Sequence, residues 1–113
     1  MKLDMKTPLK IGDSDGLKLT GDGGEVVGEI KTLGEMLRRI YGAPVMQGEN
    51  FSGPQFYHLG VLDEQIEQAL KENSENSEVD LAAEDIALAK ERLPKLMPAP
   101  RVIKAVYDFL EQK

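Results

Sequence analysis

The chain has 113 residues, of which 41% are hydrophobic and 30% are charged, and its net charge is −6. This length fits one compact domain spanning residues 1–113, and the hydrophobic fraction excludes a wholly disordered chain. The acidic balance excludes a broad basic surface for nucleic acid, and the absence of cysteine excludes disulfides and thiolate chemistry.

Residues 8–31 carry strong signals for β structure. The short segments 9–11 and 17–19 alternate apolar and polar side chains, as half-buried strands do, and the turn-forming segment 12–16 separates them. A third apolar segment follows at 25–30. We therefore expect a β-hairpin or a three-stranded meander, which must pack on helices because two strands alone are marginally stable in water.

The remainder, residues 32–113, is predicted to be helical. Thr32 and Glu35 form a capping box, and Gly42 is typical of a helix end. Apolar residues with helical spacing predict one buried stripe on this first helix: Leu33, Met36, Leu37, Ile40 and Tyr41.

A second capping box, formed by Ser52 and Gln55, begins a helix that we expect to reach about Glu72. Gly60 weakens this helix by about 1 kcal/mol relative to alanine, so the pattern allows a break there. Its predicted inner face comprises Phe56, Leu59, Leu62, Ile66, Ala69 and Leu70.

The polar segment 73–79 predicts a flexible loop, after which Asp80 is expected to cap a third helix. Pro94 should kink or end that helix, since proline has no N–H and clashes with the preceding turn. A last helix is expected from Pro100. The predicted fold is therefore α+β, a hairpin or meander followed by about four amphipathic helices. The inward-facing residues of the last two helices are Ile86, Ala89, Leu93, Met97, Val102, Ile103, Val106, Phe109 and Leu110.

The glycine-rich and acidic turns lack the pattern of a cofactor or metal site. Glu29 stands where a phosphate-binding loop needs lysine, and its carboxylate would repel phosphate. A calcium loop around residues 13–16 would take Ile11 as its first ligand, and isoleucine has no oxygen to coordinate with. We expect no cofactor and no bound metal.

His58 is the only histidine, so a zinc site would lack its usual partners and a Ser-His-acid triad would have to use this residue. Ser52 is better explained as a helix cap than as a nucleophile. We interpret His58 as a helix-surface or partly buried residue, and we expect no enzymatic activity. A deep pocket with carboxylates converging on His58 would favour an enzyme instead.

Acidic residues are concentrated in residues 63–85, where nine acids accompany one base, whereas residues 90–104 carry five bases and one acid. A solvated helix pair explains this pattern, including the adjacent acids Glu84 and Asp85. The functional alternative is an acidic docking surface for a basic partner protein. The candidate partner surface comprises Asp63, Glu64, Glu67, Glu72, Glu75, Glu78, Asp80, Glu84 and Asp85.

Several short segments that are predicted to begin helices occur in a characteristic order along the chain. Segments 48–54 and 79–90 each begin a helix, and the corner at 97–100 leads into the closing helix. With segment 30–34 before the first helix, this layout resembles a group of short proteins encoded by tailed bacteriophages and prophages. That group has no settled biochemical role, so it supplies no site residues. The resemblance implies a small accessory protein that binds another protein, in particle assembly or in disabling a host factor.

The leading expectation is thus a phage-like accessory protein that binds a phage or host protein in the bacterial cytoplasm. The alternative is an acidic inhibitor, a mimic of nucleic acid that blocks a host nucleic-acid-binding protein. No apolar run approaches the roughly 20 residues that span a bilayer, and the first six residues lack a signal-peptide core. We therefore expect neither a membrane partner nor direct binding to nucleic acid. Apolar stripes on the first and last helices fit one core or a dimer, which leaves the oligomeric state open.

Overall fold

The computed structural model describes residues 1–71 and 75–111, in which six short strands and four helices follow one another. The predicted α+β architecture is confirmed. None of the described helices is long and apolar enough to cross a membrane. The elements are β1 (Lys2–Asp4), β2 (Lys10–Ile11), β3 (Ser14–Asp15), β4 (Leu17–Thr20), β5 (Val26–Ile30), α1 (Leu33–Gly42), α2 (Gly53–Leu70), β6 (Glu78–Asp80), α3 (Ala83–Leu96) and α4 (Pro100–Glu111).

The N-terminal β structure consists of two successive antiparallel hairpins, β2–β3 and β4–β5. Gly12 and Gly16 adopt positive φ values of 62° and 78°, which glycine tolerates without strain, and so reverse the chain around β3. In the second hairpin, Leu17 lies opposite Ile30, and the register shifts between Leu19 and Thr20. The expected hairpin is confirmed.

A third strand pair was not anticipated. Strand β1 pairs antiparallel with β6, placing Leu3 opposite Val79, and both side chains are buried. Strands therefore also lie outside the predicted β segment 8–31. The prediction of a flexible loop over 73–79 is wrong for residues 78 and 79, which belong to β6, while 73 and 74 lie outside the described residues.

Asp80 does not cap α3, contrary to prediction. It is the last residue of β6, and its carboxylate accepts a hydrogen bond of 2.9 Å from the amino group of Met1. Ala82 occupies the N-cap position of α3 and provides no side-chain hydrogen bond. Because β1 pairs with β6, Asp80 belongs to a strand, and the start of α3 has no polar cap.

Helix α1 is the centre of the helical part and packs against both α2 and α3. Its N-terminus is capped by Thr32, whose hydroxyl accepts from the Glu35 N–H at 3.2 Å. The Glu35 carboxylate reaches back to the Lys31 N–H at 2.9 Å. All five residues of the predicted apolar stripe are buried, which confirms the inner face of α1.

Helix α2 begins with the predicted capping box, in which Ser52 and Gln55 exchange side-chain hydrogen bonds of 3.3 and 2.7 Å. The helix runs through Gly60 without a break and ends at Leu70, while Glu72 lies outside the described residues. Most of the predicted inner face is buried, but Phe56 is 44% exposed, so its assignment to the core is wrong.

Helix α3 continues past Pro94 to Leu96, so of the two predicted effects of this proline, a kink or a helix end, the helix end is wrong. Proline has no N–H to bond the carbonyl of Lys90, one turn earlier. The hydroxyl of Tyr107, on α4, donates to that carbonyl at 2.5 Å instead. Helix α4 begins at Pro100 as predicted, and its buried residues are Val102, Val106 and Leu110.

Two helical glycines provide a matched test of the packing around α1. In Gly34→Ala the new Cβ would lie 2.8 Å from both the Cβ and the carbonyl oxygen of Met5. We expect a loss of about 1–3 kcal/mol in the free energy of unfolding, as overpacking usually causes. In Gly60→Ala the new Cβ has no neighbour within 4 Å, so helix propensity should raise stability by about 0.5–1 kcal/mol. Urea denaturation measures both changes, and a stabilised Gly34→Ala chain would contradict this packing.

The hydroxyl of Tyr107 should matter because Pro94 leaves a carbonyl unpaired. We expect Tyr107→Phe to lower the free energy of unfolding by about 1 kcal/mol, the usual net value of one hydrogen bond. In a Pro94→Ala background, the new N–H can donate to the Lys90 carbonyl. Tyr107→Phe should then lower the free energy of unfolding by less. A double-mutant cycle measures this coupling. If Tyr107→Phe lowered the free energy of unfolding equally with Pro94 in place and in the Pro94→Ala background, the idea that the Tyr107 hydroxyl compensates for the missing N–H would be refuted.

Candidate functional site

The acidic residues predicted as a partner surface differ in whether they form ion pairs within the chain. Arg38, on α1, donates from Nε to Asp63 at 2.9 Å and from an Nη to Glu67 at 2.8 Å. Hydrogen bonding to Asp63 raises the pKa of the Arg38 guanidinium. Asp80 pairs with the amino group of Met1. These three carboxylates already have cationic partners within the chain.

Asp85 is only 7% exposed, so the expectation that it lies on the solvated surface is wrong. Its Oδ1 lies 2.7 Å from Nε2 of His58, which is on the surface of α2 as predicted. Of the remaining predicted residues, Glu72 lies outside the described part of the chain. Those exposed to solvent are Glu64, Glu75, Glu78 and Glu84.

One apolar cavity is a groove between the N-terminal halves of α2 and α3. Both helices pack on α1, and the groove between them has an open volume of about 570 Å³. The α2 wall consists of Pro54, Gln55, His58 and Leu59, the α3 wall consists of Glu84, Asp85, Ala87, Leu88 and Glu91, and Phe51 from the preceding connection completes the lining. We call this cavity the α2–α3 groove.

The acidic groups of the α2–α3 groove are three carboxylates, and the imidazole of His58 also lines it. Glu84 and Glu91 are exposed carboxylates on the α3 wall. Among the described residues that line the groove, none is a lysine or an arginine. An ionised carboxylate only accepts hydrogen bonds, so in the pair with Asp85 the Nε2–H of His58 is the donor. This hydrogen bond bridges the two walls.

Asp85 is held from the core side as well. The hydroxyl of Tyr41, on α1, donates to the backbone carbonyl of Asp85 at 2.7 Å. Burial raises the pKa of the Tyr41 phenol, and the negative charge of Asp85 raises it further, so the phenol remains a hydrogen-bond donor. Contacts from α1 and from α2 thus fix the first turn of α3.

The convergence of Glu84 and Asp85 near His58 meets part of the condition that would favour an enzyme. The groove is nevertheless open, and its described lining contains no serine, threonine, cysteine or lysine that an imidazole–carboxylate pair would activate as a nucleophile. In the described part of the chain, no three acidic, histidine or cysteine side chains are placed to hold a metal ion.

The residue that sequence reasoning missed is Arg92, which was counted in the basic stretch 90–104 but is fully buried. Its guanidinium donates to the α1 carbonyl of Ile40 at 2.7 Å, and to those of Ala43 and Pro44 at 2.9 and 3.0 Å. It also forms a bidentate ion pair with Glu49, in which Nε and Nη2 of Arg92 donate to the two carboxylate oxygens at 2.9 and 3.1 Å. Arg92 directly precedes Leu93 and follows the inward-facing Ala89 by three residues, so helical spacing places it on the buried face of α3. This spacing was the signal for its burial.

Arg92 also shapes one end of the α2–α3 groove. Its guanidinium carbon lies 5.5 Å from the centroid of the Phe51 ring, within the range of a cation–π interaction. The Phe51 ring in turn packs edge-on against Phe56, with centroids 5.5 Å apart. The groove residue Phe51 therefore lies between a buried cation and an exposed aromatic ring.

The chain matches no protein-family model, no curated protein and no solved structure. The resemblance to phage and prophage proteins stays a prediction, and the α2–α3 groove is interpreted from its own residues.

The ion pair between Glu49 and Arg92 should make stability depend on pH. Burial alone would raise the pKa of Glu49, but hydrogen bonds from Arg92 and the Met46 N–H hold it below its ordinary value of 4.5. A carboxyl group with a lowered pKa stabilises the folded state above its unfolded pKa, and this contribution is lost as the pH falls through the folded pKa. We expect Glu49→Gln to cost about 3 kcal/mol at pH 7, and less below pH 4.5.

Urea denaturation between pH 7 and pH 3 checks this expectation. Glu64→Gln, which removes an exposed carboxylate on α2, is the matched control and should stay within about 0.5 kcal/mol of the unmodified chain. A cost of Glu49→Gln that did not change over this range would contradict the assigned role of the ion pair.

Proposed function

We propose that this protein binds another protein through the α2–α3 groove and acts as an accessory factor without catalysing a reaction. The observation that carries the proposal is an open apolar groove with exposed carboxylates along one wall and neither lysine nor arginine in its described lining. Grooves between helices are common sites for apolar anchors of a partner.

The apolar part of the groove supports the insertion of a partner side chain. Among its lining residues Leu59 is buried, while Leu88 and Phe51 are partly exposed. Phe56, which contacts Phe51, is 44% exposed. Exposed aromatic residues beside an apolar pocket are typical of interface anchors, since they bury a large area at a small entropic cost.

The charge of the groove supports a basic partner. Glu84 and Glu91 stand on the α3 wall, and the net charge of −6 adds a long-range field that attracts cations. Complementary charges of this kind accelerate association and reject acidic competitors more than they raise affinity. Of the predicted partner surface, Glu84 and Asp85 lie at this groove.

The alternative of a nucleic-acid mimic has less support. A mimic presents free carboxylates at the spacing of phosphates, whereas Asp63 and Glu67 share the guanidinium of Arg38, and Asp85 is buried against His58. The charge of Asp63 and Glu67 is thus largely compensated within the chain, and Asp85 is not exposed to a partner. The resemblance noted above favours a phage or host protein as the partner, and this identity is part of the proposal.

Affinity capture from bacterial lysates tests the proposal with two matched variants. Ala87→Arg places a long cation in the groove at an exposed position and should abolish binding without affecting the core. Ala105→Arg makes the same change on α4, outside the groove, and should leave binding intact. We expect proteins that the unmodified chain and Ala105→Arg retain but Ala87→Arg loses, and whose yield falls as salt rises. Identical capture by all three chains, or capture of no protein at any salt concentration, would refute the proposal.

A further inference from the structure

The α3 wall of the groove repeats with the period of a helix. Glu84, Ala87, Leu88 and Glu91 occupy positions i, i+3, i+4 and i+7, so they lie on one stripe. The two exposed carboxylates are seven residues apart, which is about 10.5 Å along the axis at about 1.5 Å per residue. The apolar residues Ala87 and Leu88 therefore lie between two negative charges that are about two helical turns apart.

The α2 wall has a similar form. Gln55, His58 and Leu59 face the groove from positions i, i+3 and i+4 of α2, and the bond between His58 and Asp85 joins the walls. Both walls are helix faces, whose backbone groups beyond the first turn are already hydrogen-bonded within each helix. An extended peptide would find no strand edge here to pair with, whereas the apolar side of a third helix fits between two helical walls.

We propose that the occupant of the α2–α3 groove is an amphipathic helix of the partner protein. It carries a bulky apolar side chain at its centre, which packs on Ala87 and Leu88. Lysine or arginine side chains three or four residues before and after that anchor pair with Glu84 and Glu91. This inference rests on the proposed function and adds the conformation and the charge pattern of the partner.

A second copy of the chain is a poorer occupant. Two copies facing each other through this groove would bring the same carboxylates, Glu84 and Glu91, towards each other, and like charges repel at short range. Charge complementarity therefore favours a basic helix over self-association.

Selection from a yeast-displayed library of helical peptides of random sequence tests the inference on the full chain. Binders of the unmodified chain are counter-selected on Ala87→Arg, so that only groove-dependent peptides remain. We expect these to share a large apolar residue with Lys or Arg three or four positions away on each side. Fluorescence anisotropy on one selected peptide then measures the charge pairs individually.

Glu84→Gln and Glu91→Gln should each weaken the selected peptide about two- to five-fold, the range of solvent-exposed ion pairs. Glu64→Gln, outside the groove lining, should leave the affinity unchanged, and replacing the two basic residues of the peptide by glutamine should remove the effect of both groove variants. Melting curves confirm that every variant is folded.

The outcomes separate this inference from the proposed function. Groove-dependent peptides that lack the basic pair, or that bind in an extended conformation, would overturn the inference and leave the groove as a binding site. A dimer that forms with concentration and is lost in Ala87→Arg would show that a second copy is the occupant, and would also overturn it. Recovery of no groove-dependent peptide would count against both proposals.

Discussion

The buried guanidinium of Arg92 is the interaction on which the helical part depends. Helix α1 ends at Gly42, and its last carbonyls would otherwise face the protein interior without partners. Arg92 donates to Ile40, Ala43 and Pro44, and to the carboxylate of Glu49. One side chain of α3 thus closes the end of α1 and holds the irregular connection that leads to α2.

An apolar residue could not take the place of Arg92, although buried ion pairs often tolerate such replacement. That tolerance requires both charged partners to be removed together. Here most acceptors are backbone carbonyls, which remain after any substitution and cost about 1–3 kcal/mol each when buried unpaired. Phe51 and the cap residue Ser52 follow Glu49 in the chain. The geometry of the groove therefore depends on the same arginine.

Local signals predicted the helices, whereas contacts between distant segments were missed. The capping interactions of Thr32 and Ser52 and the apolar stripe of α1 involve residues within two turns, and sequence spacing reveals them directly. Strands β1 and β6 are three residues long and about 75 positions apart, too short to show periodicity. The hydroxyl of Tyr107 compensates for Pro94 from another helix, and no pattern around the proline indicates this.

The candidate site was predicted only as a concentration of charge. Counting acids placed Glu84 and Asp85 in the partner surface, but it could not show that Asp85 is buried against His58. Charged residues are expected outside unless they are paired, and for Asp85 and Arg92 the partners lie on other elements. Glu91 was counted as the one acid of a basic stretch. Only the helix geometry places it on the same face of α3 as Glu84, in the groove.

Under the proposed function, the position of the exposed carboxylates would keep an apolar groove available to a partner. Exposed apolar patches promote association with any similar surface, including another copy of the chain. Glu84 and Glu91 flank Ala87 and Leu88 on one stripe, so an acidic or identical surface meets repulsion before the apolar groups touch. A basic surface meets attraction instead, and its cations compensate the carboxylates as they lose water. Specificity here would result as much from rejecting unsuitable partners as from attracting a suitable one.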